Sequence, residues 1–234
     1  MPYYYGYDPT YFLILIGVVL SLMASARVKS TYAKFSGVRS LSGMTGEETA
    51  RRILSFAGIY DVKIERVAGN LTDHYDPRTK TLRLSESVYG NSSVAAIGVA
   101  AHECGHAIQH DRSYAPLKIR SVLAPVASFG ANLSWPLILV GLLLGGSGIL
   151  IQIGIIMFAV AVFFQLVTLP VEFNASKRAI GMLSDTGILY SEEVPKARKV
   201  LGAAALTYVA AAATSILQLL RLLLLFGGRR DDSR

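Results

Sequence analysis

The sequence predicts a mainly α, polytopic integral membrane protein with about four transmembrane helices and a small α/β element on the cytoplasmic side. Three observations carry that expectation. The 234 residues are 52% hydrophobic and 17% charged, with a mean hydropathy of +0.44, too apolar for an ordinary water-soluble domain. Four runs are long enough to cross a hydrocarbon core of about 30 Å, which takes roughly 20 helical residues. Lysine and arginine alternate between the segments that join those runs, rich in one and absent from the next.

The first run, about Pro9 to Ala26, ends in Ala24, Ser25 and Ala26, which resembles a signal cleavage site. A cleaved signal carries positive charge before its apolar core, whereas here Arg27, Lys29, Lys34 and Arg39 follow it. The run therefore reads as an uncleaved anchor with its amino terminus outside. Tyr3, Tyr4, Tyr5, Tyr7, Tyr11 and Phe12 suit the headgroup region at its outer end. Residues 27–120 hold fourteen Lys and Arg and form the cytoplasmic region. Ser121 to Leu144 and Ile149 to Pro170 make a membrane hairpin, 121–170, about the uncharged GGSG turn at 145–148. Residues 171–202, with five Lys and Arg, return the chain to the cytoplasm. The fourth run, Ala203 to Phe226 within 203–234, has two readings. Arg221 lies inside it and Arg229, Arg230 and Arg234 would end up outside, so it either spans or instead lies against the inner leaflet or re-enters. The formal charge of +7 follows mostly from this topology, with some attraction to anionic lipid. Scattered cations without an aromatic-rich strand motif point away from nucleic acid.

The cytoplasmic region has a fold of its own. Thr45 to Glu48 reads as a capping box opening a helix through Thr49, Ala50, Ile53, Leu54 and Ala57 to Gly58. Val62, Ile64 and Val67 alternate as a strand. Leu71 to Leu84 reads as a hairpin turning at Asp76, Pro77 and Arg78. Asn91 or Ser92 then caps a helix over Val94 to His110. The order helix, strand, strand pair, helix makes a zincin-like element, in which a strand beside the last helix can receive an extended peptide by edge addition.

That last helix carries H-E-x-x-H at His102, Glu103, Cys104, Gly105 and His106. Four residues apart on one helix face, with a rise of about 6 Å, two imidazoles can converge on one metal ion. A glutamate beside the first ligand stands next to the metal's water, which is the arrangement that metal-assisted hydrolysis needs. The apolar stretch Val94, Ala95, Ile97, Gly98, Val99, Ala100 and Ala101 places the pair in a buried setting. Small residues at Gly98, Ala100, Ala101, Gly105 and Ala107 admit a close neighbour. Cys104, the sole cysteine, excludes an internal disulfide and points off the ligand face as a filler.

Catalytic zinc usually takes three protein ligands and a water, and three residues compete for the third place. His110 is about 12 Å further along the helix from His102 and rotated by roughly 80°, so it ligates only if the helix breaks before it. His74, in LTDHYDP, sits in a polar cluster with Asp73, Tyr75 and Asp76 and suits an auxiliary role, in substrate binding or oxyanion stabilisation. Glu172, in LPVEFNASKRA, is favoured by topology. The tight GGSG hairpin returns the chain to the surface it left after His110, with Pro170 ending or kinking the span just before the carboxylate. The bland alternative is a Glu172 ion pair with Lys177 or Arg178.

HECGHAIQH, the preceding LTDHYDPRTKTLRLS and the following VEFNASKRA resemble the YugP-like zinc-dependent membrane peptidases over nearly the whole chain. More distantly, the layout is similar to the HtpX and CAAX prenyl protease group. The resemblance implies a bacterial inner-membrane metallopeptidase with Zn2+ held by His102, His106 and Glu172 and with Glu103 as catalytic base. Where the distant group tends to carry an aspartate four residues after its glutamate ligand, this chain has Ser176, so Asn174 or Ser176 must supply a weaker hydrogen bond.

The expected function is therefore a membrane-integrated zinc endopeptidase acting on polypeptides, membrane-associated ones included, at the cytoplasmic surface. Glu103 serves as base and His74 as auxiliary. Two rivals stand beside it. One is a membrane adaptor or holdase with a structural zinc site, which would close the fourth metal position with a protein ligand. The other is a peptidase selective for lipid-modified substrates.

Overall fold

A computed structural model describes residues 8–227. Ten elements follow in chain order: α1 (Tyr11–Ser36), α2 (Gly46–Phe56), β1 (Lys63–Val67), β2 (His74–Asp76), β3 (Thr81–Ser85), α3 (Glu86–Tyr89), α4 (Val94–Asp111), α5 (Ala115–Leu143), α6 (Gly148–Asp185) and α7 (Val194–Phe226). The protein is a mainly α polytopic membrane protein: α1, α5, α6 and α7 are each long and apolar enough to cross a bilayer. Only 11% to 28% of each apolar window is buried within the protein, which leaves their apolar surface to lipid.

The chain divides into two compact units. One takes the chain up to Met23, Arg120–Val167 and the chain from Tyr208 onward. Its core gathers Ile138, Ile151, Ile155, Phe158, Val162 and Leu222, with Trp135 edge-on to Phe158 at 6.1 Å. The turn between α5 and α6 is tight because Gly145 and Gly146 both adopt positive φ, 74° and 83°, which side chains resist. Across this unit Thr214 of α7 donates its hydroxyl to the Gly17 carbonyl of α1 at 3.0 Å, and Ser21 Oγ lies 3.2 Å from the same hydroxyl oxygen. Arg221, the charge that made the fourth run ambiguous, has partners. It reaches Asp8 at 3.2 Å and Thr10 at 3.1 Å and lies over the Tyr11 ring at 4.7 Å. Tyr11 and Phe12 are exposed. Tyr3, Tyr4, Tyr5, Tyr7, Arg229, Arg230 and Arg234 lie outside the described residues.

The other unit, Ala24–Ile119 with Thr168–Thr207, holds the small sheet. Its strand order is β1-β3-β2, with β1 parallel and β2 antiparallel to β3. Asp76 closes the β2–β3 turn by accepting from Arg78 N at 2.9 Å and Thr79 Oγ1 at 2.9 Å. The capping box at α2 forms as read, Thr45 and Glu48 bonding each other's backbone N–H. The core is continuous from Ile53 and Leu54 of α2, through Leu82 and Leu84 of β3 and Ala100 and Cys104 of α4, to Leu183 of α6 and Leu201 of α7. Glu193 ties two ends together, accepting from Leu41 N at 2.9 Å and Tyr190 N at 3.0 Å just before α7.

Two local expectations are corrected. The cap of α4 is Ser93, which accepts from Ala96 N; Asn91 instead holds Ser93 in place by accepting its N–H at 2.8 Å. Pro170 does not end its helix, since α6 continues to Asp185. The one i→i−4 bond that a proline forgoes is tolerated within this 38-residue helix.

Candidate metal centre

The centre is built where two helices cross with almost nothing between them. A Cβ on Gly105 of α4 would stand 2.5 Å from the Ala175 carbonyl oxygen of α6, so glycine is what lets the two backbones meet. The crossing sets Glu172 over the histidine face. Its Oε2 lies 3.3 Å from His102 Nε2 and 3.6 Å from His106 Nε2. The two imidazoles stand edge-on, centroids 4.8 Å apart and planes at 87°.

The potential ligand atoms of His102, His106 and Glu172 all lie within 4.8 Å of one another. Three ligands at zinc distances on a tetrahedron sit about 3.3 Å apart, so the arrangement fits the ion. Among the described residues, no fourth His, Cys, Asp or Glu joins the group. Glu172 is buried at 2% exposure, in an environment where an isolated carboxylate is costly unless paired or bound to a metal.

Glu103 is buried beside this group and hydrogen-bonds no other described residue. Burial is the main reason its pKa is pushed up to about 7; the charge of His102 opposes it, Asp73 and Glu172 push the same way as burial, and His74 opposes them. A buried carboxylate poised near neutrality, with no hydrogen-bond partner among the described residues, matches what a proton acceptor requires.

The model of the family described as "Putative neutral zinc metallopeptidase" matches residues 10–227. The chain belongs to this family. It is also 50% identical over 222 residues to the Bacillus subtilis (strain 168) protein named "Putative membrane protease YugP", covering 95% of this chain and 98% of that one. No solved structure matches.

In this member of the zinc metallopeptidase family, hydrogen bonds around the histidines fix which ring nitrogen faces the centre. Arg178 can only donate. Its Nε bonds Asn174 Oδ1 at 2.8 Å, so that atom is an acceptor. The same oxygen accepts from Gln109 Nε2 at 3.0 Å, and Gln109 Nε2 also bonds the Val171 carbonyl at 2.8 Å. The amide oxygen of Gln109 is thereby turned to His106 Nδ1 at 3.1 Å. Nδ1 must carry the hydrogen, and Nε2 keeps its lone pair on the side of Glu172. For His102 the equivalent neighbour is Ser176, whose Oγ lies 3.1 Å from Nδ1.

Ser176 thus stands where the sequence left a choice between it and Asn174, while Asn174 acts one step back through Gln109. Gln109 was missed. It is fully buried, and its signal in the sequence was an amide one helical turn after the second histidine.

His110 and His74 lie apart from the group. Helix α4 runs unbroken to Asp111, so His110 stays a turn beyond and its Nδ1 pairs with Tyr75 OH at 2.8 Å. Burial pushes that phenol up to about 12. His74, exposed on β2, faces the Thr72 carbonyl with Nδ1 at 2.9 Å and the Arg83 guanidinium with Nε2 at 3.4 Å. One partner only accepts and the other only donates, so neither ring N–H is spare. Cys104 is buried at 3.8 Å from the Ala50 carbonyl, its thiol pushed well above the usual range by burial. It is a filler, as its place on the helix implied.

Proposed function

We propose that the protein is a membrane-integrated zinc endopeptidase in which His102, His106 and Glu172 hold the metal and Glu103 is the catalytic base. The observation that carries the reading is the meeting of Glu172 with both His Nε2 atoms, beside a buried Glu103 that hydrogen-bonds no other described residue. Zinc held there would supply a Lewis acid for the scissile carbonyl and acidify the water it binds. Glu103 would take up a proton at its carboxylate and return it to the leaving amine, and its raised pKa suits both directions. Gln109 and Ser176 would keep the imidazoles aimed. An extended substrate would lie along the free side of β2, which pairs with β3 on its other side only and touches α4 through Tyr75 and His110. Main-chain bonds to that edge would hold the peptide across the centre. His74 belongs to this edge; the oxyanion role asks of it an N–H that it spends on Thr72. The substrate would be a polypeptide at the cytoplasmic membrane surface, the side marked by the fourteen Lys and Arg of residues 27–120. A group of three ligands favours an open catalytic position over the closed set of a structural site.

One experiment separates the roles. Zinc content and cleavage of an unfolded reporter are measured together in Glu103→Gln, Glu172→Ala and His110→Ala. Glu103→Gln should keep zinc and lose on the order of 10²- to 10⁴-fold in rate. Glu172→Ala should lose both, and His110→Ala neither. Zinc retained by Glu172→Ala would remove that residue from the ligand set.

A further inference from the structure

The centre leaves a second feature of this unit without a role. A cavity of about 450 Å³ opens between α1 and α7, lined by Arg27, Thr31, Lys34 and Phe35 from the first helix and by Lys199 and Gly202 among others from the second. We propose that it seats the phosphate headgroup of an anionic phospholipid.

The charge of the lining favours an anion. Arg27, Thr31 and Lys34 follow one another at i, i+4 and i+7, so they share one face of α1, and Lys199 adds a third cation from α7. No aspartate or glutamate lines the cavity. Among the described residues none of the three cations has a carboxylate partner, and Lys34 has only the Phe35 ring, 5.7 Å from its Nζ. The Thr31 hydroxyl likewise bonds nothing else described. Among the described residues of this unit Arg51, Arg66, Lys80 and Arg83 pair with carboxylates, while Arg52, Lys63 and Arg78 do not; what sets Arg27, Lys34 and Lys199 apart is that they line one concave site. Three uncompensated cations around one concave site attract an anion with several acceptor oxygens.

Position identifies the source of that anion. Arg27 is the first charge after the apolar run of α1, and Lys199 is the last before the apolar run of α7. On both helices the cavity therefore marks the step from charged to apolar chain, where a bilayer holds its phosphates. Its inner wall is apolar, with Phe35 and Ala203 buried, as suits the glycerol and first methylenes of a lipid more than a hydrated ion. Gly202 lines the cavity, and nothing stands within 4 Å of where its Cβ would be, so a bulky side chain has room there to crowd the seat. A second, more apolar cavity of about 480 Å³ shares Gly202 and reaches Ser176.

The test uses the full chain in neutral detergent, titrated with phosphatidylglycerol, phosphatidylcholine or inorganic phosphate. Retained lipid is counted by native mass spectrometry, and zinc content serves as the check of folding. Wild type should retain phosphatidylglycerol in preference to phosphatidylcholine. The triple variant Arg27→Gln, Lys34→Gln, Lys199→Gln should bind it about a hundredfold more weakly while keeping zinc. Gly202→Phe should lose it with all cations intact. Neutralising the exposed Arg52, Lys63 and Arg78 instead should change nothing. Equal loss in that control, equal retention in the triple variant, or competition by inorganic phosphate at the same concentration as lipid would overturn the proposal.

Discussion

The amide of Gln109 holds His106 Nδ1 at 3.1 Å and rests in turn on Asn174. Gln109→Ala frees His106 Nδ1 to rotate or change tautomer, and zinc affinity should fall about 10- to 100-fold, measured by competition with a chromogenic chelator. Arg178→Gln, two bonds further out, should cost less. An unchanged affinity in Gln109→Ala would show that packing alone orients the ring. His102, Glu103 and His106 were legible as candidates because their relation is local: helix geometry alone puts i and i+4 on one face. Glu172 was reachable only through topology, because nothing in VEFNASKRA singles out its glutamate until the hairpin before it returns the chain. Gln109 was out of reach for another reason. Its place rests on Asn174 and Arg178, more than sixty residues away in sequence, and the direction of an amide cannot be read before its partners are placed.

Among the elements, the spans and the α2 cap were visible because hydropathy and capping are short-range signals. Helix ends were less so. The fourth run begins at Ala203 by hydropathy, yet α7 starts at Val194, since Lys196, Arg198 and Lys199 are good helix formers that hydropathy cannot count. The same blindness hid the continuation of α6 past Pro170, and with it the rigid placement of Glu172 and Ser176 on one helix, one turn apart. The α4–α6 crossing rests on Gly105. Gly105→Ala should force the backbones apart, costing about 1 to 3 kcal/mol as overpacking does, and should lower zinc retention while circular dichroism stays helical. Gly181→Ala on α6, where nothing stands within 4 Å, is the matched control and should gain about 1 kcal/mol from helix propensity. Equal behaviour of the two would mean that the crossing tolerates separation.

For the whole molecule, four spans and the charge alternation between them make the side of the metal centre a definite expectation. Tyr60 is 81% exposed beyond α2. A Tyr60→Cys protein needs no further engineering, since the native thiol of Cys104 is buried. In intact cells an impermeant maleimide should leave it unlabelled, and labelling should appear on permeabilisation. Labelling from outside would put the centre on the opposite face. The ambiguity over the last run came from counting Arg221 as an isolated charge. Its partner Asp8 lies 213 residues away, a distance over which sequence reading has no rule.

The bond from Thr214 to Gly17 bridges 197 positions, and this sets an order of events. A ribosome adding about 5 to 20 residues per second needs roughly 10 to 40 s to traverse that interval. During that time α1 resides in the bilayer without α7, held by its own apolar length. His102, His106 and Glu172 have all been synthesised some forty residues before Thr214 emerges. The α4–α6 crossing can therefore close while the bundle is still missing its final helix, and a nascent chain stalled in α7 would already carry all three candidate ligands.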